Sequence, residues 1–244
     1  MSPEAAIKRE IIEVGRHMQQ KNMVAGTDGN ISARISPDRL LVTVRGISKG
    51  QLTPRHIVRT DLCGRVLRGK LLPSTEIRLH IAAYEERSDI GAVIHAHPPL
   101  ATAFTLAGLS MLPCILPEVV FHFGSIPTAP YASPSSLEGA ETVRRFIREH
   151  DVVLLDRHGC VVVGENVRDA YDKLEKLEHY ASVLLTAYQL GNIRTLPREE
   201  AEHLIERRKR SGIPGKVRLL CDECGVCTKR RSAVPEGVRR LLRM

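Results

Sequence analysis

Apolar residues recur every three or four positions in three long stretches of the chain, and each stretch is predicted to be an amphipathic helix. The first spans residues 3–20, the second residues 135–150, and the third runs from residue 166 to about 190 and stops at Gly191. Two shorter helices are expected at residues 100–109, closed by Gly108, and from Pro197 into the basic run at residues 207–210. These helices are expected to pack by one face.

Short alternating or wholly apolar runs predict strands between the helices. Residues 31–35 and 40–44 are two such runs, and residues 61–64 have the composition of a hairpin turn, so the region before Pro73 is expected to form short antiparallel strands. Further strands are expected near residues 92–97, 152–155 and 159–163.

A helix is also predicted just after Pro73. Ser74 or Thr75 can cap it, which places Glu76 in its first turn. Because the neighbours of Glu76 are apolar, the pKa of its carboxyl group is expected to rise towards neutrality, the range suited to acid/base catalysis.

The net charge of +8 in this 244-residue chain is concentrated at one end. Residues 207–244 contain twelve Lys or Arg and three acids, leaving 24 basic and 25 acidic residues before them. This distribution argues against a nucleic-acid-binding core and confines any binding of nucleic acid or an anionic surface to this tail. No apolar run approaches the roughly 20 residues of a membrane span, and the start lacks the features of a signal peptide, so a cytoplasmic location with reduced cysteines is expected.

Two histidines occupy alternate positions of a predicted strand. His95 and His97 therefore point to the same face, where they can fill two corners of a tetrahedral Zn2+ site. His158, at a predicted turn between two strands, is the best candidate for a third ligand. Three histidines leave one coordination position open, as in catalytic zinc sites. A hydrogen-bonded pair of core histidines is the alternative.

Two glycine turns offer donors for an oxyanion. The turn at residues 26–30 contains Thr27, Gly29 and Asn30, whose backbone N–H groups and short side chains suit phosphate, although such a composition also occurs in ordinary tight turns. Arg45 beside Gly46 adds a planar cation for phosphate or carboxylate, or is simply an exposed arginine.

Other polar residues are weaker candidates. Glu118 and Tyr131 could lie near the site or have structural roles. Cys221, Cys224 and Cys227 supply three thiols where a closed zinc site needs four ligands. His203 could be the fourth, or the tail could be oxidisable or passive.

Six motifs occur together in the order and spacing typical of one family, so the sequence resembles the class II aldolase/adducin family, including its L-fuculose-phosphate aldolases, over roughly residues 5–195. The motifs are Gly26-Thr27-Asp28-Gly29-Asn30-Ile31-Ser32, the turn at Gly46, Pro73-Ser74-Thr75-Glu76, His95-Ala96-His97-Pro98, Ala129-Pro130-Tyr131 and His158-Gly159.

This resemblance implies an α/β fold, a three-layer α/β/α sandwich around a mostly antiparallel sheet, assembled as a homotetramer with active sites at subunit boundaries. Residues 1–196 would form the catalytic domain, and residues 197–244 a basic, cysteine-containing helix and tail. It further implies that His95, His97 and His158 bind one Zn2+ per subunit and that Glu76 is the acid/base, able also to approach the metal.

The phosphate of the substrate would lie where the family holds it, at five matching positions: Gly29, Asn30, Gly46, Ser74 and Thr75. Two departures bear on the substrate. The family's Thr-Pro-Ser-Gly or Thr-Pro-Thr-Gly turn is Thr43-Val44-Arg45-Gly46 here, which makes a carboxylate substrate plausible, and a proton-donating tyrosine expected near Glu118 is missing.

The expected activity is that of a zinc-dependent aldolase. It would cleave a small ketose phosphate, similar to L-fuculose 1-phosphate, to dihydroxyacetone phosphate and an aldehyde through a metal-stabilised enediolate, with Glu76 moving the proton. Epimerisation, dehydration or decarboxylation of a related sugar phosphate or sugar acid is the first alternative. The second is a non-catalytic binding protein that uses its basic tail.

Overall fold

The computed structural model describes residues 2–111, 114–191 and 193–219. Its strands form one sheet, whose members in chain order are β1 (Asn30–Ser36), β2 (Arg39–Thr43), β3 (Ile57–Asp61), β4 (Val66–Arg68), β5 (Ala92–Ala96), β6 (Thr128–Ala129), β7 (Val152–Leu155) and β8 (Gly159–Gly164). Their order across the sheet is β4-β3-β2-β1-β5-β8-β7-β6. Strands β6 and β7 are parallel, and the other neighbouring pairs are antiparallel. The predicted, mostly antiparallel sheet is confirmed.

Helices cover both faces of this sheet. They are α1 (Pro3–Gln20), α2 (Ile77–Glu86), α3 (Pro99–Leu106), α4 (Pro117–Phe123), α5 (Leu137–Ile147), α6 (Val167–Leu190) and α7 (Arg198–Arg210), with short 3-10 turns at Lys49–Gln51 and Pro54–His56. Because strand residues alternate, Ile94 packs in the core beneath α1, α3 and α6, and the adjacent Val93 packs in the core beneath α2 and α5. The three-layer prediction is confirmed.

The entrance to α2 differs from the prediction. The helix begins at Ile77, and Glu76 itself occupies the N-cap position. Ser74 does not cap the helix, because it lies in the preceding turn, where its carbonyl accepts from the Ile77 N–H at 3.2 Å and its hydroxyl accepts from the Glu76 N–H at 3.3 Å. The Glu76 carboxylate makes no capping bond and points to other partners.

The sequence analysis did not assign the short helix α4, against which the last described segment of the chain packs. The apolar side of α4 packs against Ala201, Leu204 and Ile205 of α7. The chain then returns to the body, where Arg218 forms a parallel bridge with Gly124. The division of the chain at residues 196/197 remains a prediction.

Most of the predictions for the C-terminal tail concern residues after 219, outside the described part of the chain. The three tail cysteines lie outside the described residues, and His203 is exposed on α7. Among the described helices, none combines the length and the apolar composition that crossing a bilayer requires.

Candidate metal centre

Four side chains from three separate segments meet at one end of the sheet. His95 belongs to β5 and His97 follows it, His158 lies in the β7–β8 turn, and Glu76 precedes α2. One ligand atom from each of the four residues lies within 4.8 Å of the others. The antiparallel β5–β8 pair brings them together, because it sets the end of β5 beside the start of β8.

The donor atoms face a common centre. His95 Nε2 lies 3.1 Å from Glu76 Oε2 and 3.0 Å from His97 Nε2. His158 Nε2 lies 3.4 Å from Glu76 Oε1. The three imidazole centroids are 4.7 to 5.0 Å apart. A hydrogen-bonded pair of core histidines, the alternative interpretation, does not account for the third ring and the carboxylate.

These residues fit a divalent cation. Glu76 Oε1 is buried and makes no hydrogen bond to a described residue, so the centre contains an unsatisfied anionic oxygen. Burial, followed by the charges of His95 and His158, lowers the pKa of His97 to about 4. Burial also lowers the pKa of His158. Both rings are therefore unprotonated at neutral pH, and imidazole nitrogens with one carboxylate oxygen are a donor set that Zn2+ accepts.

The prediction of a raised Glu76 pKa was wrong. Burial does raise the pKa of this carboxyl group, but the hydrogen bond from His95 and the charges of His95, His158 and His97 outweigh it and lower the pKa to about 2. The sequence analysis considered the apolar neighbours of Glu76 but not the combined effect of three nearby imidazoles on its pKa. Glu76 is therefore ionised at neutral pH.

The turn that holds His158 depends on a glycine. A Cβ on Gly159 would overlap the carbonyl oxygen of Ala96 and lie 2.7 Å from His97 Cδ2. The preceding Arg157 has a left-handed backbone, with φ of 58°, and its N–H donates to Thr105 Oγ1 at 3.0 Å. These contacts fix the approach of His158 to the strand that carries His95.

The candidate phosphate-binding segments are neighbours of one another. Thr43, which the sequence analysis did not single out, joins them: its hydroxyl accepts from the Ile31 N–H at 3.0 Å, and its carbonyl accepts from the Ser74 N–H at 3.1 Å. Gly29, with φ of +71°, lies so close to His95 that an added Cβ would be 3.0 Å from its carbonyl oxygen. The Nδ2 atom of the buried Asn30 donates to Glu76 Oε2 at 3.4 Å.

Arg45 and Gly46 are exposed at the end of β2, where the Arg45 N–H donates to the Leu72 carbonyl at 3.3 Å. Thr75 accepts a hydrogen bond from Ser135 at 3.1 Å. The described structure thus places all three candidate segments, at residues 26–30, 45–46 and 74–75, around the same end of β1 and β2.

Two weaker candidates are not brought into the cluster. Glu118 is exposed in the first turn of α4, and its side chain has no described contact with the histidines. The Tyr131 side chain is 55% exposed. Its neighbours Pro130 and Ala132, however, line an open cleft that also reaches Glu76 and His158.

One further residue near the site, Lys49, gave no sequence signal. Lys49 is 1% exposed, and its ammonium group donates to the carbonyl of Thr27 at 2.9 Å and that of Ile47 at 2.6 Å. Burial lowers the pKa of Lys49 to about 8, and the nearby Asp28 carboxylate opposes that shift. A buried lysine is rare enough that its sequence position alone predicts an exposed side chain.

Known proteins are similar to this chain in sequence and in fold. The sequence matches the class II aldolase and adducin N-terminal domain over residues 9–185. An L-fuculose phosphate aldolase of Escherichia coli strain K12 is 34% identical over 209 residues, which cover 85% of this chain and 96% of that protein.

A second relative has a different activity in its name. The 3-oxo-tetronate 4-phosphate decarboxylase of Pectobacterium atrosepticum is 30% identical over 188 residues, covering 75% of this chain and 86% of that protein. Among solved structures, an L-fuculose 1-phosphate aldolase superimposes with a TM-score of 0.78 at 29% identity, covering 86% of this chain and 98% of that chain.

Proposed function

The chain belongs to the class II aldolase and adducin family, and from this premise we propose that it is a zinc-dependent aldolase acting on a small ketose phosphate. The observation that carries the proposal is the convergence of Glu76 with three histidines, one oxygen of Glu76 being buried and unsatisfied. Dihydroxyacetone phosphate and an aldehyde would be the products.

His95, His97 and His158 would hold the cation, and Glu76 Oε1 lies close enough to approach it. A bound Zn2+ would stabilise the negative charge that develops on substrate oxygens as the C–C bond breaks. Zinc is favoured by the three nitrogen donors and the single carboxylate.

Glu76 would transfer the proton. Its carboxylate is ionised at neutral pH, so it can accept a proton from the substrate hydroxyl beside the bond that breaks and return one to carbon. Asn30 donates to Oε2, which leaves Oε1 facing His158. Oε2 of the carboxylate is thus held by Asn30, and Oε1 is available for the proton transfer.

The substrate would span the site between two regions. Its phosphate would accept hydrogen bonds from the segments at residues 26–30, 45–46 and 74–75, with Arg45 supplying a positive charge. Its other half would occupy the open cleft beside Glu76 and His158. This division keeps the charged end at the loops and the reacting carbons at the metal.

A decarboxylase that acts on a sugar-acid phosphate is the second candidate. The 30% identical relative has that activity in its name, and the cation of Arg45 suits a carboxylate as well as a phosphate. Both reactions would use the same histidines and leave the phosphate segments unchanged.

Product analysis on purified, zinc-loaded protein separates these reactions. An aldolase releases dihydroxyacetone phosphate and an aldehyde from a panel of ketose 1-phosphates. A decarboxylase releases CO2, and an epimerase keeps the carbon skeleton. Cleavage of no panel member by the loaded protein would refute the aldolase proposal. The homotetramer, the cytoplasmic location and a polyanion-binding tail remain predictions.

A further inference from the structure

Two of the three site histidines differ in how their outer ring nitrogens are held. His95 Nδ1 lies 2.9 Å from the carbonyl oxygen of Cys160, so it donates to the backbone and its Nε2 atom faces the centre. His97 also turns Nε2 inward, to 3.0 Å from His95 Nε2. Its Nδ1 faces Asp28, whose Oδ2 lies 3.6 Å away.

We propose that Asp28 is a positioning residue that accepts a hydrogen bond from His97 Nδ1 and thereby orients His97 towards a bound metal, with Lys49 fixing the turn that carries Asp28. The inference rests on the proposed metal site. A carboxylate on the outer nitrogen of a ligating histidine fixes its tautomer and strengthens it as a ligand.

The turn around Asp28 is firmly placed. The Asp28 N–H donates to the Ala25 carbonyl at 2.9 Å. The next residue, Gly29, packs against the backbone of His95, which belongs to the candidate metal centre. Asp28 is therefore tied to the segment that carries His97, and the proposed hydrogen bond requires Asp28 Oδ2 to lie closer to His97 Nδ1 than their separation of 3.6 Å.

The buried Lys49 side chain is hydrogen-bonded to this turn. Its ammonium group joins the carbonyl of Thr27, adjacent to Asp28, to that of Ile47, adjacent to Gly46. The two turns thus share one buried cation. Its charge also lies close enough to interact with Asp28. Lys49 would therefore act on His97 through Asp28, without touching the metal.

Asp28 offers a clean substitution. Its side chain is 52% exposed, so Asp28→Ala removes little buried contact and should leave the fold intact. Asp38→Ala is the matched control, because Asp38 is an exposed aspartate in the turn at the other end of β1, where it accepts from Ser36.

The experiment measures Zn2+ affinity of the full chain by competition with a chromophoric chelator, alongside the visible spectrum of the Co2+-substituted protein. Asp28→Ala should weaken Zn2+ binding by roughly 10- to 100-fold and alter the Co2+ spectrum. Asp28→Glu should restore part of the affinity because it returns the carboxylate. Asp38→Ala should match the wild type.

A double substitution tests the role of Lys49. If Lys49 acts through Asp28, the losses of Zn2+ affinity caused by Lys49→Met and Asp28→Ala are not additive. The affinity of the double variant should then lie within about twofold of that of Asp28→Ala. Unfolding midpoints of each variant identify any loss that comes from misfolding.

Two outcomes overturn the inference, and they are distinguishable. Wild-type affinity and an unchanged Co2+ spectrum in Asp28→Ala would remove the role of Asp28 while leaving the metal site intact. Failure of the wild type to bind Zn2+, or equal binding by wild type and His95→Ala, would refute the proposed metal site itself.

Discussion

Asn30 and His95 lie directly opposite each other in the antiparallel pair of β1 and β5. Both side chains reach the same oxygen: Glu76 Oε2 lies 3.4 Å from the Asn30 amide nitrogen and 3.1 Å from His95 Nε2. One strand pair therefore sets both the candidate phosphate turn, which ends at Asn30, and the candidate metal ligands.

Asn30→Ala should lower kcat/KM for ketose phosphate cleavage about 5- to 30-fold. The substitution removes a hydrogen bond to a charged group, which contributes on the order of 1 to 2 kcal/mol. Steady-state kinetics of the zinc-loaded variant measure the loss, with Ser36→Ala at the far end of β1 as the control. An unchanged kcat/KM would remove Asn30 from the site.

Glu76→Gln should lower kcat by roughly 10²- to 10⁴-fold while the protein still binds Zn2+. The amide has nearly the same shape but cannot accept the proton, and the three histidines remain. Metal analysis and single-turnover kinetics on the same preparation separate the two effects. A Glu76→Gln variant with wild-type kcat would assign the proton transfer to another group.

Gly159→Ala should destabilise the protein by about 1 to 3 kcal/mol and weaken metal binding. Its methyl group would meet the Ala96 carbonyl and the His97 ring, which cannot move without displacing β5 or the site. Gly139→Ala in α5 is the control, because its nearest neighbour is 3.4 Å away and alanine favours helix by about 1 kcal/mol. Equal urea midpoints for wild type and Gly159→Ala would contradict the close contact.

Stability should fall as the pH drops from about 6.5 to 4, partly because of His150. Burial lowers the pKa of this histidine to about 4. The unfolded chain, with a histidine pKa of about 6.5, therefore binds a proton that the folded chain does not. Its stabilising effect is complete above pH 6.5 and is lost as the pH falls through 4.

His150→Gln should make this dependence shallower, by at most about 1.4 kcal/mol per pH unit, the contribution of one proton. Urea unfolding at several pH values between 4 and 7 gives both slopes. Parallel slopes for the two proteins would show that His150 does not titrate differently on folding.

The sequence predicted the long helices α1 and α6 well because a 3.6-residue repeat over many turns has no competing interpretation. Period two likewise placed His95 and His97 on one face. The short helix α4 was missed because seven residues that begin with a proline give too few repeats to separate helix from loop.

The electrostatics of the site depended on contacts between distant segments. The direction of the Glu76 pKa shift depends on three imidazole rings, which come from residues 95, 97 and 158 and outweigh the effect of burial. The burial of Lys49 and the contact between Asp28 and His97 likewise depend on how two turns dock, which local sequence does not encode. Thus the grouping of the four candidate ligands was predictable, and the contacts that support them were not.

The most direct test of the central claim, that Glu76 and the three histidines form a metal centre required for C–C cleavage, is a Zn2+ titration of chelator-stripped protein with ketose phosphate cleavage as the readout. We expect no cleavage by the stripped protein, full recovery at one Zn2+ per chain, and no recovery in His97→Ala at that ratio. Cleavage by the stripped protein at the rate of the zinc-loaded protein would contradict the claim.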